Sequence, residues 1–152
     1  MRNNSSTFIP SEWRSPRGGP GIAIDPSGSG DAIKTHIKWC INQVPEAIGS
    51  PIIVGQRVYR LHTSNVLKCW KADSGELVYA QRLDRLTSTW ASLIVDGAGR
   101  LYFTTAGVSH IVQTGDEFNS LGINDLGDPN HTSPAVHNGK LFLVGIRQIY
   151  CV

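Results

Sequence analysis

The chain alternates short apolar runs with polar turns along most of its length. Segments rich in Val, Ile, Leu, Tyr and Phe recur, such as "RVYRLHT", "ELVYAQRL", "RLYFTTA" and "KLFLVG". Gly, Asn or Asp stands in most of the gaps between them. Short runs of this composition, bounded by turn residues, predict β-strands and not helices. We therefore expect an all-β chain.

Similar segments begin at three regularly spaced serines. They are "SPIIVGQRVYRL" at Ser50, "SLIVDGAGRLYFT" at Ser92 and "SPAVHNGKLFLV" at Ser133, spaced 42 and 41 residues apart. A period of about 40 to 45 residues with four short strands per unit is typical of a β-propeller blade. The predicted fold is therefore a partial β-propeller of about three to three and a half four-stranded antiparallel blades.

The repeat also predicts how the chain is divided. Because a propeller typically closes with about four to eight blades, this chain cannot close a ring of ordinary size alone. We expect its partners to be the remaining blades of a larger propeller or another copy of the chain. The predicted divisions are an irregular segment at 1–19 and a propeller segment at 20–152, made of a blade end (20–42), two complete blades (50–83 and 92–125) and an incomplete last blade (133–152).

The turn within "KADSGELVYAQRL", residues 71–83, carries a recognisable pattern. Ser74 and Gly75 form the turn, and the aromatic Tyr79 follows four residues after the glycine. The next unit has Thr114 and Gly115 at the same turn. With these residues the chain resembles the pyrroloquinoline-quinone-like (quinoprotein-dehydrogenase-like) β-propeller repeat family, in which a Thr-Gly turn precedes a tryptophan by four residues. Tyr79 and Asn119 stand at that tryptophan position.

The resemblance covers about residues 20–152 and implies several expectations. In this family the last blade often ends after its third strand, and the outermost strand comes from the N-terminus of the ring. The chain is similar to the C-terminal part of such a propeller. The family is commonly extracytoplasmic or periplasmic, although "MRNNSSTFIPSEWR" has no apolar region typical of a signal peptide.

The resemblance leaves two functions open. The leading hypothesis is a non-catalytic scaffold or interaction segment that uses no cofactor. The alternative is part of a quinone-dependent oxidoreductase whose pyrroloquinoline quinone and calcium sites lie mainly in other blades. The family's adjacent-cysteine pair is not found in this sequence, whose cysteines are Cys40, Cys69 and Cys151. This favours the scaffold.

Composition and charge narrow the partner classes. The net charge is +2 and the basic residues are scattered, whereas nucleic-acid binders gather them on one face. No apolar run approaches the roughly 18 residues that a membrane-spanning helix needs. We expect neither nucleic-acid binding nor a membrane span. The three cysteines lie in apolar runs, which predicts buried free thiols, and the five histidines show no metal-ligand spacing, which predicts exposed or singly hydrogen-bonded rings.

Candidate binding residues are sought in the connecting loops. In the family, the connections between blades and the turns between second and third strands gather around a central funnel, and loops on a rigid scaffold are where binding residues concentrate. A stacking ring, an amide, a titratable donor and a guanidinium suit a small polar ligand or a protein partner. The predicted ligand-binding residues are Trp90, Asn130, His131 and Arg147, with no catalytic or metal-binding residue predicted.

Overall fold

The computed structural model describes residues 18–31, 35–84, 89–129 and 131–152. The elements bounded within these ranges are thirteen β-strands. They are β1 (Gly18–Ile24), β2 (Ile37–Pro45), β3 (Ile52–Val54), β4 (Arg57–Leu61), β5 (Val66–Lys71), β6 (Leu77–Arg82), β7 (Ile94–Val95), β8 (Arg100–Thr105), β9 (Val108–Gln113), β10 (Asn119–Asp125), β11 (Ala135–His137), β12 (Lys140–Val144) and β13 (Ile149–Cys151).

The strands form four antiparallel sheets in which chain neighbours pair. Sheet I contains β1 and β2, sheet II β3 to β6, sheet III β7 to β10, and sheet IV β11 to β13. Two complete four-stranded sheets flanked by a two-stranded and a three-stranded sheet confirm the predicted fold class, an all-β partial propeller. The irregular segment predicted for 1–19 lies outside the described residues, except for Gly18 and Gly19, which begin β1.

The largest apolar core lies between sheets II and III. Sheet II contributes Tyr59 and Cys69, and sheet III contributes Leu101, Phe103 and Val112, all with no exposed surface. Alternation of side chains along each strand sends every second residue to this interface, so residues two apart are buried together. Packing of large side chains between neighbouring sheets therefore forms this core.

Specific polar contacts join successive sheets as well. Trp39 Nε1 of sheet I donates to Ala72 O of sheet II at 2.8 Å. The hydroxyl of Tyr59 lies between sheets II and III, where it accepts from Gly115 N at 2.9 Å. Arg57 of sheet II pairs with Asp116 of sheet III, with Nε 2.7 Å from the carboxylate. Sheets I and II are thus each anchored to the turn between the third and fourth strands of the next sheet.

The pairing of the third and fourth strands differs between sheets II and III. Cys69 of β5 is opposite Tyr79 of β6, whereas Ile111, the corresponding residue of β9, is opposite Gly122 of β10. Spacing along the sequence places Asn119 at the position of Tyr79. The ladder places Gly122 there instead, because β10 begins four residues after Gly115 whereas β6 begins two residues after Gly75, and the register shifts again between Ser120 and Gly122. Sheet III therefore has no aromatic ring at this position.

Candidate functional site at the funnel face

Two predicted site residues lie against each other on connections between sheets. The rings of Trp90 and His131 have centroids 5.1 Å apart and planes inclined by 31°. Trp90 remains 52% exposed, and His131 is exposed as well. The contact is a tilted ring pair between two loops, and its two residues are 41 positions apart in the chain. The structure thus brings two of the four predicted residues into contact.

The repeat explains why these rings meet. Trp90 stands two positions before Ser92, and His131 stands two positions before Ser133. The backbone N–H of Ser92 donates to Ser133 Oγ at 2.8 Å, which holds the two loops side by side. Ile48 occupies the same place before Ser50 and is 58% exposed. We call Ile48, Trp90 and His131 the funnel row.

Threonine hydroxyls fix the backbone beneath the funnel row. Thr89 Oγ1 donates to Thr104 O at 3.1 Å, and Thr132 Oγ1 donates to Val144 O at 2.9 Å. Thr104 Oγ1 in turn donates to Thr132 O at 2.9 Å. The loops are therefore tied to the ends of β8 and β12. The funnel row therefore lies on a backbone that side-chain hydrogen bonds hold in place.

Arg147 is not a member of the funnel row but contacts the connection that carries His131. It lies in the turn between β12 and β13, with a side chain 70% exposed, and its Nε is 3.5 Å from Asp128 Oδ1. Its guanidinium also donates to Gly127 O. Both partners belong to the connection that carries His131. Asn130, the fourth predicted residue, lies outside the described residues.

Asp128 is a residue of this site that the sequence prediction did not name. Its side chain is fully buried and accepts hydrogen bonds from the backbone N–H groups of Ile146, Arg147 and Gln148 at 3.1 to 3.2 Å. Burial acts to raise the pKa of Asp128, but the hydrogen bonds from Arg147 and Gln148 outweigh it and hold the pKa below its ordinary value. Asp128 thus anchors the turn that presents Arg147.

Two histidines near the turns between second and third strands are buried. His62 has no exposed surface, and its Nδ1 is 3.0 Å from Pro45 O. His110 is 2% exposed and stacks on Phe103 at 5.2 Å between centroids. The Nε2 atoms of both rings are buried without a hydrogen-bond partner among the described residues. Burial lowers the pKa of both rings, so they are neutral at pH 7.

The chemistry of this face is that of a contact surface. Asp128 is occupied by backbone donors and the threonines donate to carbonyls, whereas Ile48, Trp90, His131 and Arg147 are exposed. Among the described residues, no three His, Cys, Asp or Glu side chains converge as metal ligands. In the same part of the chain, no helix is long and apolar enough to cross a membrane. Among the described residues, this face offers ring contact, apolar contact and the cation of Arg147.

Comparison with known proteins agrees with this architecture. No protein-family model matches the chain, and no curated protein matches it. Among solved structures, BamB from Moraxella catarrhalis, a β-propeller of PQQ-like repeats, superposes with a TM-score of 0.70 at 17% sequence identity. The match covers 89% of this chain but only 41% of the BamB chain. The likeness shows the propeller fold, and the chain spans less than half of that protein.

Proposed function

We propose that this chain is a segment of a non-catalytic β-propeller scaffold whose funnel row binds a protein partner. The observation that carries the proposal is the ring contact between Trp90 and His131, which is exposed and lies on a hydrogen-bonded backbone. Exposed tryptophan and arginine side chains are enriched among residues that dominate protein interfaces. Ile48 extends the apolar part of the row, and Arg147 adds a cation on the neighbouring turn. A row of exposed side chains on a hydrogen-bonded backbone is suited to bind the surface of a protein partner.

The arrangement of polar groups favours binding over catalysis. A general base must reach its substrate with a free lone pair. The buried carboxylate of Asp128 is filled by three backbone N–H donors, and His62 and His110 have little or no exposed surface. These groups stabilise the loops and do not face a substrate.

The number of strands in sheets I and IV favours further blades of a larger propeller over a second copy of the chain. Two copies joined end to end would bring the two strands of sheet I beside the three strands of sheet IV. The composite sheet would have one strand more than a four-stranded blade holds. Further blades of a larger propeller therefore suit this chain better than a second copy. The match to 41% of the BamB chain supports the same proposal.

Photo-crosslinking tests the binding surface. A photoreactive amino acid at position 90, and separately at position 48, is expected to give one adduct of reproducible mass in cells that express the protein natively. The matched control is position 77, because Leu77 is 49% exposed but lies on the outer strand β6. The adduct at position 90 should be lost when His131 is replaced by Ala. Equal adducts at positions 77 and 90, or none at position 90, would contradict the proposal.

A redox assay tests the non-catalytic part of the proposal. The purified protein, supplied with pyrroloquinoline quinone, calcium and a range of alcohols and sugars, is expected to give no dye reduction above the rate without protein. Robust quinone-dependent turnover would overturn the scaffold proposal and favour an oxidoreductase. The assay is interpreted together with a near-ultraviolet circular dichroism spectrum, which shows that the protein is folded.

A further inference from the structure

Two buried polar atoms lie on the face of sheet III that packs against sheet II. Thr105 has no exposed surface, and His110 is 2% exposed. Thr105 Oγ1 and His110 Nε2 are buried, and no described residue forms a hydrogen bond with either atom. Sheets II and III both have four strands. The two atoms therefore lie within a packed interface and not at an end of the described structure.

The strand pairing places the two side chains together. His110 of β9 is opposite Phe103 of β8, and Thr105 stands two residues after Phe103 on the same strand. Alternate residues of a strand share a face, and diagonal neighbours across an antiparallel pair lie about 7 to 8 Å apart. Phe103 belongs to the core between sheets II and III, and the ring of His110 stacks on it. Thr105 and His110 are therefore diagonal neighbours on the same face.

Sheet II brings a third polar atom to this end of the interface. Asn65 is 6% exposed, and its Oδ1 is buried without a hydrogen-bond partner among the described residues. The backbone C=O of Asn65 accepts from Leu83 N at 3.0 Å, and Leu83 belongs to the core between the two sheets. Burial lowers the pKa of His110, and the charge of Asp84, the residue after Leu83, opposes this lowering. These contacts place Asn65 at the same end of the interface as His110.

The chemistry of the three atoms indicates what binds between them. A buried polar atom without a hydrogen bond costs free energy, and most buried polar atoms in proteins have a partner. The amide oxygen of Asn65 only accepts, whereas a hydroxyl donates and accepts and an imidazole nitrogen does one or the other. A buried water molecule typically makes about three hydrogen bonds, as donor and as acceptor. Water therefore matches this set, whereas an anion would meet the acceptor of Asn65.

We propose that one bound water molecule joins Asn65 Oδ1, Thr105 Oγ1 and His110 Nε2. The water donates to Asn65 Oδ1, because that oxygen only accepts, and its other hydrogen bonds are with the hydroxyl and the ring nitrogen. It connects the turn before β5 of sheet II to β8 and β9 of sheet III. The site is therefore a polar link between two neighbouring sheets.

The water site stands at the funnel end of this interface. The other end, at the turn after β9, is held by the hydroxyl of Tyr59, which accepts from Gly115 N at 2.9 Å. Thr105 directly follows Thr104, whose C=O accepts from Thr89 Oγ1. The water thus links the core between the sheets to the backbone beneath the funnel row.

Thr105→Val tests the site, because valine keeps the shape of threonine and removes only the hydroxyl. A buried hydroxyl without any partner would make this variant as stable as the unsubstituted protein, or more stable. With the water bound, we expect the equilibrium constant for unfolding to rise about three- to tenfold, measured by urea denaturation. Thr104→Val is the positive control, because the hydroxyl of Thr104 donates to Thr132 O and its loss should have an effect of similar size.

Magnetic relaxation dispersion of oxygen-17 water detects long-lived internal water molecules directly. Thr105→Val is expected to hold fewer long-lived water molecules than the unsubstituted protein. Thr104→Val should hold the same number as the unsubstituted protein, because its hydroxyl binds a carbonyl group of the protein. This comparison separates a lost water molecule from a lost contact within the protein.

A double-mutant cycle with His110→Phe tests whether the two side chains share the water. Phenylalanine retains a ring against Phe103, but it has no nitrogen to bind the water. In the His110→Phe background, Thr105→Val should change the equilibrium constant for unfolding by less than about twofold, because the water is already lost. Thr105→Val alone keeps the test valid if His110→Phe perturbs folding.

Three results would overturn the proposal. The first is a Thr105→Val variant that is at least as stable as the unsubstituted protein. The second is an unchanged number of long-lived water molecules in Thr105→Val, because the hydroxyl would then bind a group of the protein. The third is an equal loss of stability from Thr105→Val with and without His110→Phe, which would show that the two side chains share no partner.

Discussion

The backbone N–H of Ser50 donates to the side chain of Ser92 at 3.0 Å, across 42 positions of the chain. Ser92 repeats the contact with Ser133 at 2.8 Å. In the sequence these serines only mark where similar segments begin. In the fold they join the start of each inner strand to that of the next. These contacts align the residues that stand two positions before each serine, which are the members of the funnel row.

Replacing Ser92 by Ala tests this serine ladder. The substitution removes the acceptor of the Ser50 N–H, and because the site is exposed, water replaces part of the lost bond. We expect the free energy of unfolding to fall by about 0.5 to 1 kcal/mol, measured by urea denaturation. Ser120→Ala, an exposed change on the outer strand β10, is the matched control and should have a smaller effect. Equal losses in the two variants would contradict the ladder.

The fold was predictable because its signals are local. A tight turn at Ser74 and Gly75 and alternation along β4 or β8 need only a few neighbouring residues. The repeat supplied the rest, since the same offset from Ser92 and Ser133 places Trp90 beside His131. That offset also identifies Ile48, which the prediction overlooked. The signal was present before Ser50, but an isoleucine there does not resemble a binding residue.

Long-range contacts were not predictable in the same way. Asp128 binds the backbone N–H groups of a turn 18 to 20 residues away, and backbone groups have no sequence signature. The prediction of three buried thiols was correct for Cys69 and wrong for Cys40 and Cys151, which are exposed. Cys40 and Cys151 lie in sheets I and IV, at the two ends of the described row of sheets. Burial there depends on neighbours that a local pattern does not reveal.

Gly75 and Gly55 form a matched pair for testing how sheet I docks on sheet II. Both have positive φ, +71° and +57°, so alanine strains the backbone at each. A Cβ on Gly75 would lie 2.7 Å from the ring of Trp39, whereas a Cβ on Gly55 meets nothing within 4 Å. We expect Gly55→Ala to lower the free energy of unfolding by about 1 to 2 kcal/mol, and Gly75→Ala to lower it by at least about 1 kcal/mol more. If urea denaturation gives the two variants equal losses, Trp39 is not packed on this turn.

The buried histidines make stability depend on pH in a defined window. In the unfolded chain His62 and His110 titrate near pH 6.5, whereas burial lowers the pKa of both in the folded protein. At His62 the hydrogen bond to Pro45 O opposes this lowering of the pKa, whereas Lys68 and Arg60 add to it; at His110 the charge of Asp84 opposes it. Below pH 6.5 the unfolded state therefore binds protons that the folded state does not, and stability falls as the pH drops.

The expected slope is up to about 1.4 kcal/mol per pH unit for each histidine between pH 6.5 and the folded-state pKa values. Urea denaturation at intervals from pH 8 to pH 5 measures it. His110→Phe, which retains a ring against Phe103, should reduce the slope, whereas replacing the exposed His137 by Asn should not. A flat profile for the unsubstituted protein, or the same slope in His110→Phe, would contradict the assignment.

Asp128 is the residue whose loss should most affect the presentation of Arg147. In Asp128→Asn the side chain keeps its size but loses its charge, and its amide N–H group then faces backbone N–H donors. The backbone N–H groups of Arg147 and Gln148 lose acceptors, so we expect their hydrogen exchange to become at least about tenfold faster. Exchange in β5, which belongs to sheet II and not to this turn, serves as the internal control and should be unchanged.

The same turn should also depend on pH. Because hydrogen bonding holds the pKa of Asp128 below its ordinary value of 3.8, the turn of the unsubstituted protein should keep its protection from hydrogen exchange down to about pH 4 and lose it as the pH falls further. Protection that persists in Asp128→Asn would show that the Gly127 contact and the β12–β13 ladder hold Arg147 without the carboxylate.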